Sequence, residues 1–224
     1  MGRTVYHASK FLLWTFYRAG YALQVRGQAH VPAHGPFILA SNHSSFLDPP
    51  VVGVSCPRPV AFMARETLFR HWALGAWLRG VQAIPLRRDA ADLGAIRAAV
   101  ERLRHGEGVA IFPEGTRQLS GQLGTAKRGV GLLAEVSRAP VVPVLVQGTF
   151  EALPPDARGL RPSKIRVAFG PAISYTTDSA PTTSLQEPAR AASGAVGSAS
   201  RAQQERVAQA VTESWRRLQA GLDC

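Results

Sequence analysis

The strongest constraint on the fold is a repeated switch of hydrophobic period. Between residues 25 and 170, short apolar runs at 37–40, 60–64, 83–86, 109–112, 141–146 and 165–169 are separated by stretches with helical patterning. Continuous apolar runs of this length read as strands buried on both faces. The clearest helix is 90–105, where Leu93, Ile96, Val100 and Leu103 make one stripe, Asp89 or Asp92 stands near the start and Gly106 supplies the stop. Strand alternating with helix implies an α/β sheet. The expected architecture is a single α/β domain with a mixed, largely parallel sheet flanked by helices, plus an N-terminal amphipathic helix. A chain of 224 residues is long enough for one such core.

The segments outside the alternation have different characters. Residues 1–24 hold Val5, Phe11, Leu12, Leu13, Trp14, Phe16, Tyr17, Tyr21 and Leu23 between cationic flanks, shorter than the ~20 apolar residues that a membrane span needs. An interfacial helix is favoured over one that merely packs on the domain, and Trp14 and Tyr17 weigh toward lipid. No small-residue cleavage site follows, so it does not read as a signal peptide. Residues 25–175 form the main domain. Residues 176–202 are small, polar and Pro-containing, and read as a flexible loop. Residues 203–224 read as a helix whose stripe of Val207, Val211, Trp215 and Leu218 docks back on the domain. A second aromatic and basic stretch, Trp72, Leu74, Trp77 and Leu78 between Arg70 and Arg79, fits a core helix and a membrane surface equally well.

Net charge narrows the partners without choosing among them. Lys and Arg outnumber Asp and Glu by 26 to 15, giving +11. Only Lys10, Lys127 and Lys164 are lysines, so guanidinium forks dominate, and such forks match phosphates. Nucleic acid, an anionic membrane and a phosphorylated small substrate would each satisfy that charge. No nucleic-acid recognition motif is visible, and the aromatics are not interleaved with arginine as RNA readers require, which excludes nucleic acid from the expected partners. Cys56 and Cys224 give neither a disulfide framework nor zinc spacing; a reducing compartment and no metal site are expected.

Two segments carry chemistry. The run Asn42-His43-Ser44-Ser45-Phe46-Leu47-Asp48 leaves the strand at 37–40, where a sheet of this class presents ligands at the carboxyl ends of its strands. A carboxylate five residues after a histidine can accept from one ring nitrogen, which leaves the other as a base. The run Phe112-Pro113-Glu114-Gly115-Thr116-Arg117 leaves the strand at 109–112. Gly115 permits close backbone approach, Arg117 offers a fork for phosphate, and Glu114 can orient an arginine or accept from a substrate hydroxyl.

Together these segments resemble the membrane glycerophospholipid acyltransferases, typified by the 1-acylglycerol-3-phosphate acyltransferases. Asn42, His43, Ser45 and Asp48 match the family's first motif, and residues 112–117 match its third in full. The block Ala83-Ile84-Pro85-Leu86-Arg87-Arg88 is similar to the second motif, and Val141-Val142-Pro143-Val144 to the fourth. Lys127 and Gly129 resemble the basic and glycine positions that follow the third. Arg87 stands where aspartate is common and Gln118 where serine is common, and both bear on acceptor identity.

The resemblance implies transfer of a fatty acyl group from an acyl thioester, on acyl-CoA or acyl carrier protein, to 1-acyl-sn-glycerol 3-phosphate, giving phosphatidic acid. His43 and Asp48 are then the catalytic pair. Arg88, Glu114, Gly115, Thr116, Arg117 and Lys127 form the substrate-binding set, with Asn42 and Ser45 as local hydrogen-bonders. An already activated thioester needs a base, an oxyanion donor and orientation, but no metal or redox cofactor. Ser45 reads as a hydrogen-bonder rather than a nucleophile; the oxyanion donor is not identified by the sequence, and the Gly115 region is the first candidate. Lipid substrates imply a membrane surface as partner, with the protein peripheral or monotopic at the cytoplasmic face of the cell membrane. Rival readings are the same chemistry on glycerol 3-phosphate, another lysophospholipid or an aminolipid, and a non-catalytic membrane-binding protein with this fold.

Overall fold

A computed structural model describes residues 2–86, 93–154, 157, 159–175 and 189–223. Its elements follow in the order α1 (Gly2–Gly20), β1 (Gln24–Arg26), β2 (Phe37–Ser41), α2 (Asp48–Ser55), β3 (Val60–Arg65), α3 (Trp72–Gly80), β4 (Ile84–Leu86) and α4 (Leu93–Arg104). Then come β5 (Gly108–Ile111), α5 (Gly129–Ser137), β6 (Val141–Gln147), α6 (Thr149–Ala152), β7 (Arg166–Phe169) and α7 (Ala189–Asp223). The seven strands lie in the order β1-β7-β6-β2-β5-β3-β4. Five run parallel; β7 meets β6 antiparallel and β1 pairs parallel to β7, so the last two run against the rest. The sheet is therefore mixed and largely parallel, as the switching period implied.

Why the runs are continuously apolar is plain in β2. Phe37 and Leu39 enter one core with Tyr17 and Leu23 from the α1 region and Val51 and Val52 from α2. Ile38 and Ala40 point to the opposite face, into a second core with Leu103 of α4, Leu133 of α5 and Val211 of α7. Strand β1 carries one apolar residue in three, which leaves no period to read. It exists because the edge of β7 offers a ladder in register from Gln24 with Arg166 to Arg26 with Ala168.

Helix α1 divides its surface by position. Tyr17 is buried, Leu13 packs against the same core, and the Trp77 indole donates to Ser9 Oγ at 3.0 Å. Phe11 (68% exposed), Leu12 (67%), Trp14 (45%) and Phe16 (44%) face outward. Helix α3 divides likewise: Leu78 is buried, while Trp72 is 89% exposed. Each aromatic stretch thus has one face packed on the domain and another exposed.

Helix α7 begins at Ala189, so residues 189–202, expected to be loop, are helical; residues 176–188 of that segment lie outside the described residues. Small polar composition argues against independent packing, yet the alanines of 189–202 are strong helix formers and extend a helix that is anchored elsewhere. The anchor is Val207, Val211 and Trp215, all buried. Helices α5 and α7 meet so closely that a Cβ on Gly131 would stand 2.2 Å from the Gln204 carbonyl oxygen. Trp215 is fully buried and its indole N–H donates to the Ala40 carbonyl at 3.0 Å, which ties α7 to the strand that leads into the first motif. Trp215→Ala is expected to lower the unfolding free energy by about 3–5 kcal/mol in urea denaturation, and a loss below about 1 kcal/mol would contradict that anchoring role.

Candidate active site

Strands β2 and β5 are hydrogen-bonded neighbours running the same way, so both motif loops leave the sheet at one edge. That edge is the carboxyl-end crevice where open α/β sheets hold ligands. The first loop is organised by Asp48, which is fully buried. Its Oδ2 accepts from the Ser44 N–H at 2.7 Å, the Ser45 N–H at 2.8 Å and His43 Nδ1 at 2.9 Å. Its Oδ1 accepts from the Thr149 hydroxyl at 2.6 Å. Because the carboxylate only accepts, Nδ1 carries the proton, and neutral His43 keeps its lone pair on Nε2. The ring stacks on Phe112 at a centroid distance of 4.3 Å, and the His43 side chain is 18% exposed.

Two other members of the first motif hold the backbone. Asn42 donates to the Val146 carbonyl at 3.0 Å and accepts from the Val146 N–H at 2.7 Å, clipping the end of β2 to β6. The Ser45 hydroxyl donates to the Leu153 carbonyl at 3.1 Å and is fully buried. The same hydroxyl accepts from the Leu47 N–H at 3.3 Å.

The second loop is sewn onto the first by backbone groups. Glu114 Oε2 accepts from the His43 N–H at 3.0 Å, and Oε1 accepts from the Gly124 N–H at 3.0 Å. The Gln118 N–H donates to the His43 carbonyl at 2.8 Å. Glu114, expected in the substrate-binding set, is only 2% exposed and acts here as a brace, because both carboxylate oxygens are taken by main chain. Gln118, expected to bear on the acceptor, also turns inward, its side chain hydrogen-bonded to Glu114. The Gly115 N–H is bonded to the Phe112 carbonyl at 3.0 Å, which removes it as an oxyanion donor.

The cations gather beside this brace. The Arg117 guanidinium lies 3.6 Å from the centroid of the Phe46 ring, and Phe46 belongs to the loop that carries His43. Gly115 has φ of 79°, a conformation that favours glycine, and a Cβ there would come within 3.0 Å of Lys127 Nζ. Gly115, Thr116 and Lys127 are exposed on that surface. Arg88, with Arg87, lies outside the described residues. Among the described residues, no group of three or more His, Cys, Asp or Glu side chains is placed to hold a metal ion. Sequence reasoning missed Thr149, Phe112 as a stacking partner, and the Glu114 brace. Only the place of Thr149 just after β6, at the same sheet edge, pointed to it.

Burial pushes the Glu114 carboxyl up to about 7, against the opposing pull of its hydrogen bonds from His43, Gly124 and Gln118. The folded protein therefore holds this proton over a range, from about 4.5 to 7, where the unfolded chain has released it. Its contribution to stability falls as pH rises through that window. Unfolding of wild type and Glu114→Gln at pH 5 and 7.5 should show a flatter pH dependence in the variant; equal slopes would contradict the assignment.

The profile of the family described as Acyltransferase matches residues 22–147, a span that contains both loops. The 1-acyl-sn-glycerol-3-phosphate acyltransferase of Bacillus subtilis (strain 168) is 32% identical over 127 residues, covering 56% of this chain and 63% of that protein. The 1-acyl-sn-glycerol-3-phosphate acyltransferase alpha of Homo sapiens is 34% identical over 140 residues, covering 60% of this chain and 49% of the human protein. The chain thus spans from about half to just under two thirds of the length of these curated relatives. In fold it is similar to the crystal structure of the 1-acyl-sn-glycerophosphate (LPA) acyltransferase, PlsC, from Thermotoga maritima, with a TM-score of 0.68 over 96% of this chain and 79% of that one at 23% identity. By a profile match that takes in more than half of its residues, the chain belongs to the acyltransferase family.

Proposed function

We propose that this chain is an O-acyltransferase that moves a fatty acyl group from a thioester donor, acyl-CoA or acyl carrier protein, to the free hydroxyl of 1-acyl-sn-glycerol 3-phosphate, giving phosphatidic acid. The observation that carries the reading is the His43 imidazole, fixed through Nδ1 by the buried Asp48 carboxylate at 2.9 Å with Nε2 left as a base. In this reading Nε2 takes the hydroxyl proton as the oxygen attacks the thioester carbonyl. The carbon–sulfur bond then breaks, and the imidazolium returns the proton to the departing thiolate. Attack is direct, in keeping with a Ser45 hydroxyl committed to the Leu153 carbonyl. Arg117 and Lys127, with the exposed Gly115 and Thr116, bind the acceptor phosphate; Arg88 joins them on family resemblance alone. Glu114 serves as a positioning residue. The names of the relatives support lysophosphatidate as acceptor.

Acceptor and product are lipids, so the reaction takes place against a bilayer. No helix among the described residues is long and apolar enough to cross a membrane. Attachment is assigned to the outward residues Phe11, Leu12, Trp14 and Phe16 of α1 and Trp72 of α3, in a peripheral or monotopic arrangement at the cytoplasmic face of the cell membrane. The net charge of +11 adds attraction to anionic lipid.

His43→Ala is expected to reduce acyl transfer to lysophosphatidate by about 10²-fold or more with the fold intact, and normal turnover would remove the mechanism. Arg117→Ala should mainly raise the acceptor KM; an equal loss in kcat and kcat/KM would count against the phosphate role. In flotation with anionic vesicles, replacing Trp14 and Trp72 by alanine should lower the bound fraction, whereas unchanged flotation would free both residues from a membrane role.

A further inference from the structure

A cleft of about 420 Å³ opens at the carboxyl ends of β2 and β6, where the chain enters β7. Its floor includes Asn42 and Ser44, the two neighbours of His43, so it adjoins the catalytic loop. Lys164, just before β7, and Arg166, the first residue of β7, line it. Neither cation was assigned a role above. Among the described residues, neither side chain forms a hydrogen bond or a salt bridge, although Glu151 lines the same cleft. The lining charge is two cations against one carboxylate, or +1. Uncompensated cations in a concave, low-dielectric wall attract anions, and the volume falls within the range of small-molecule sites.

The lining also separates this cleft from the lipid-facing helices. No residue of α1 or α3 contributes to it. Those helices carry the exposed Phe11, Leu12, Trp14, Phe16 and Trp72 on which a bilayer acceptor would arrive. Arg117 and Lys127 do not line the cleft either, although Gly121 and Leu123 of the loop between them do, and its mouth is open to a water-borne anion. The second substrate of a thioester acyl transfer is such an anion: its acyl group hangs from a phosphopantetheine arm, whose phosphate is shared by acyl-CoA and acyl carrier protein.

We propose that Lys164 and Arg166 bind the phosphate of the donor's phosphopantetheine arm and so direct the thioester along the cleft, past Asn42 and Ser44, toward His43. The proposal rests on the acyl-transfer reading and adds the place of the donor to it. Arg166 offers the planar fork and Lys164, more exposed, the point charge that suit a phosphodiester.

The test uses the full chain, with coenzyme A and holo-acyl carrier protein as separate probes in calorimetric titration, independent of turnover. Lys164→Ala with Arg166→Ala should weaken at least one probe by about tenfold or more, the loss expected for charged hydrogen bonds. The exposed Lys164→Ala alone should weaken it in part, and Lys164→Arg should restore it. Loss with coenzyme A only, or with the carrier protein only, identifies the source of the arm. Unchanged affinity for both probes, or no binding of either by wild type, overturns the proposal. In steady-state kinetics the same variants should raise the donor KM and leave the lysophosphatidate KM as it was; a rise confined to the acceptor overturns the donor assignment. Wild type that binds a probe at Lys164 and Arg166 but forms no phosphatidate would sink the catalytic reading and leave the donor site standing.

Discussion

A single buried carboxylate organises this molecule. Asp48 is removed from water and satisfied by two backbone N–H groups, a hydroxyl and an imidazole. A buried charge is costly unless such partners hold it, so the loop from Ser44 to Asp48 has little freedom to relax. The same oxygen that bends this loop orients the His43 ring. The shape of the loop and the orientation of the imidazole thus follow from one electrostatic requirement. Thr149 extends that requirement across the sheet, because its hydroxyl reaches Asp48 from the far end of β6.

Glu114 repeats the device between loops. It binds the His43 and Gly124 N–H groups and so holds the loop after β5 against the loop after β2. The adjacency of parallel β2 and β5 makes this economical, since both loops emerge at one edge. Histidine and guanidinium are brought to the same part of the surface by rigid strands, with Arg117 resting on Phe46 of the histidine's own loop. Positioning of this kind removes orientational freedom before substrate arrives.

The exposed aromatics and the cationic cleft come from different elements. Outward aromatics on α1 and α3 give those helices an apolar face, while Lys164 and Arg166 line a polar cleft built from none of those helices. Arginine, far more abundant here than lysine, supplies forks for phosphate without giving up charge.

The sequence alone determined the α/β class, because burial on both faces of a strand and on one stripe of a helix writes different periods into the chain. It also pointed to His43 and Asp48 as a pair through their spacing, and the two side chains meet at 2.9 Å. Only the tertiary structure decided what depends on backbone partners and on packing at a distance. Glu114 read as a substrate ligand because its true partners are N–H groups, which every residue type but proline carries and which leave no mark in the sequence. Thr149 was silent for a related reason, a common residue brought to Asp48 by where β6 ends. Strand β1 exists through an edge that β7 provides, and α7 reaches back to Ala189 because Val207, Val211 and Trp215 hold its far end. Local pattern records what a residue needs; the fold decides who supplies it.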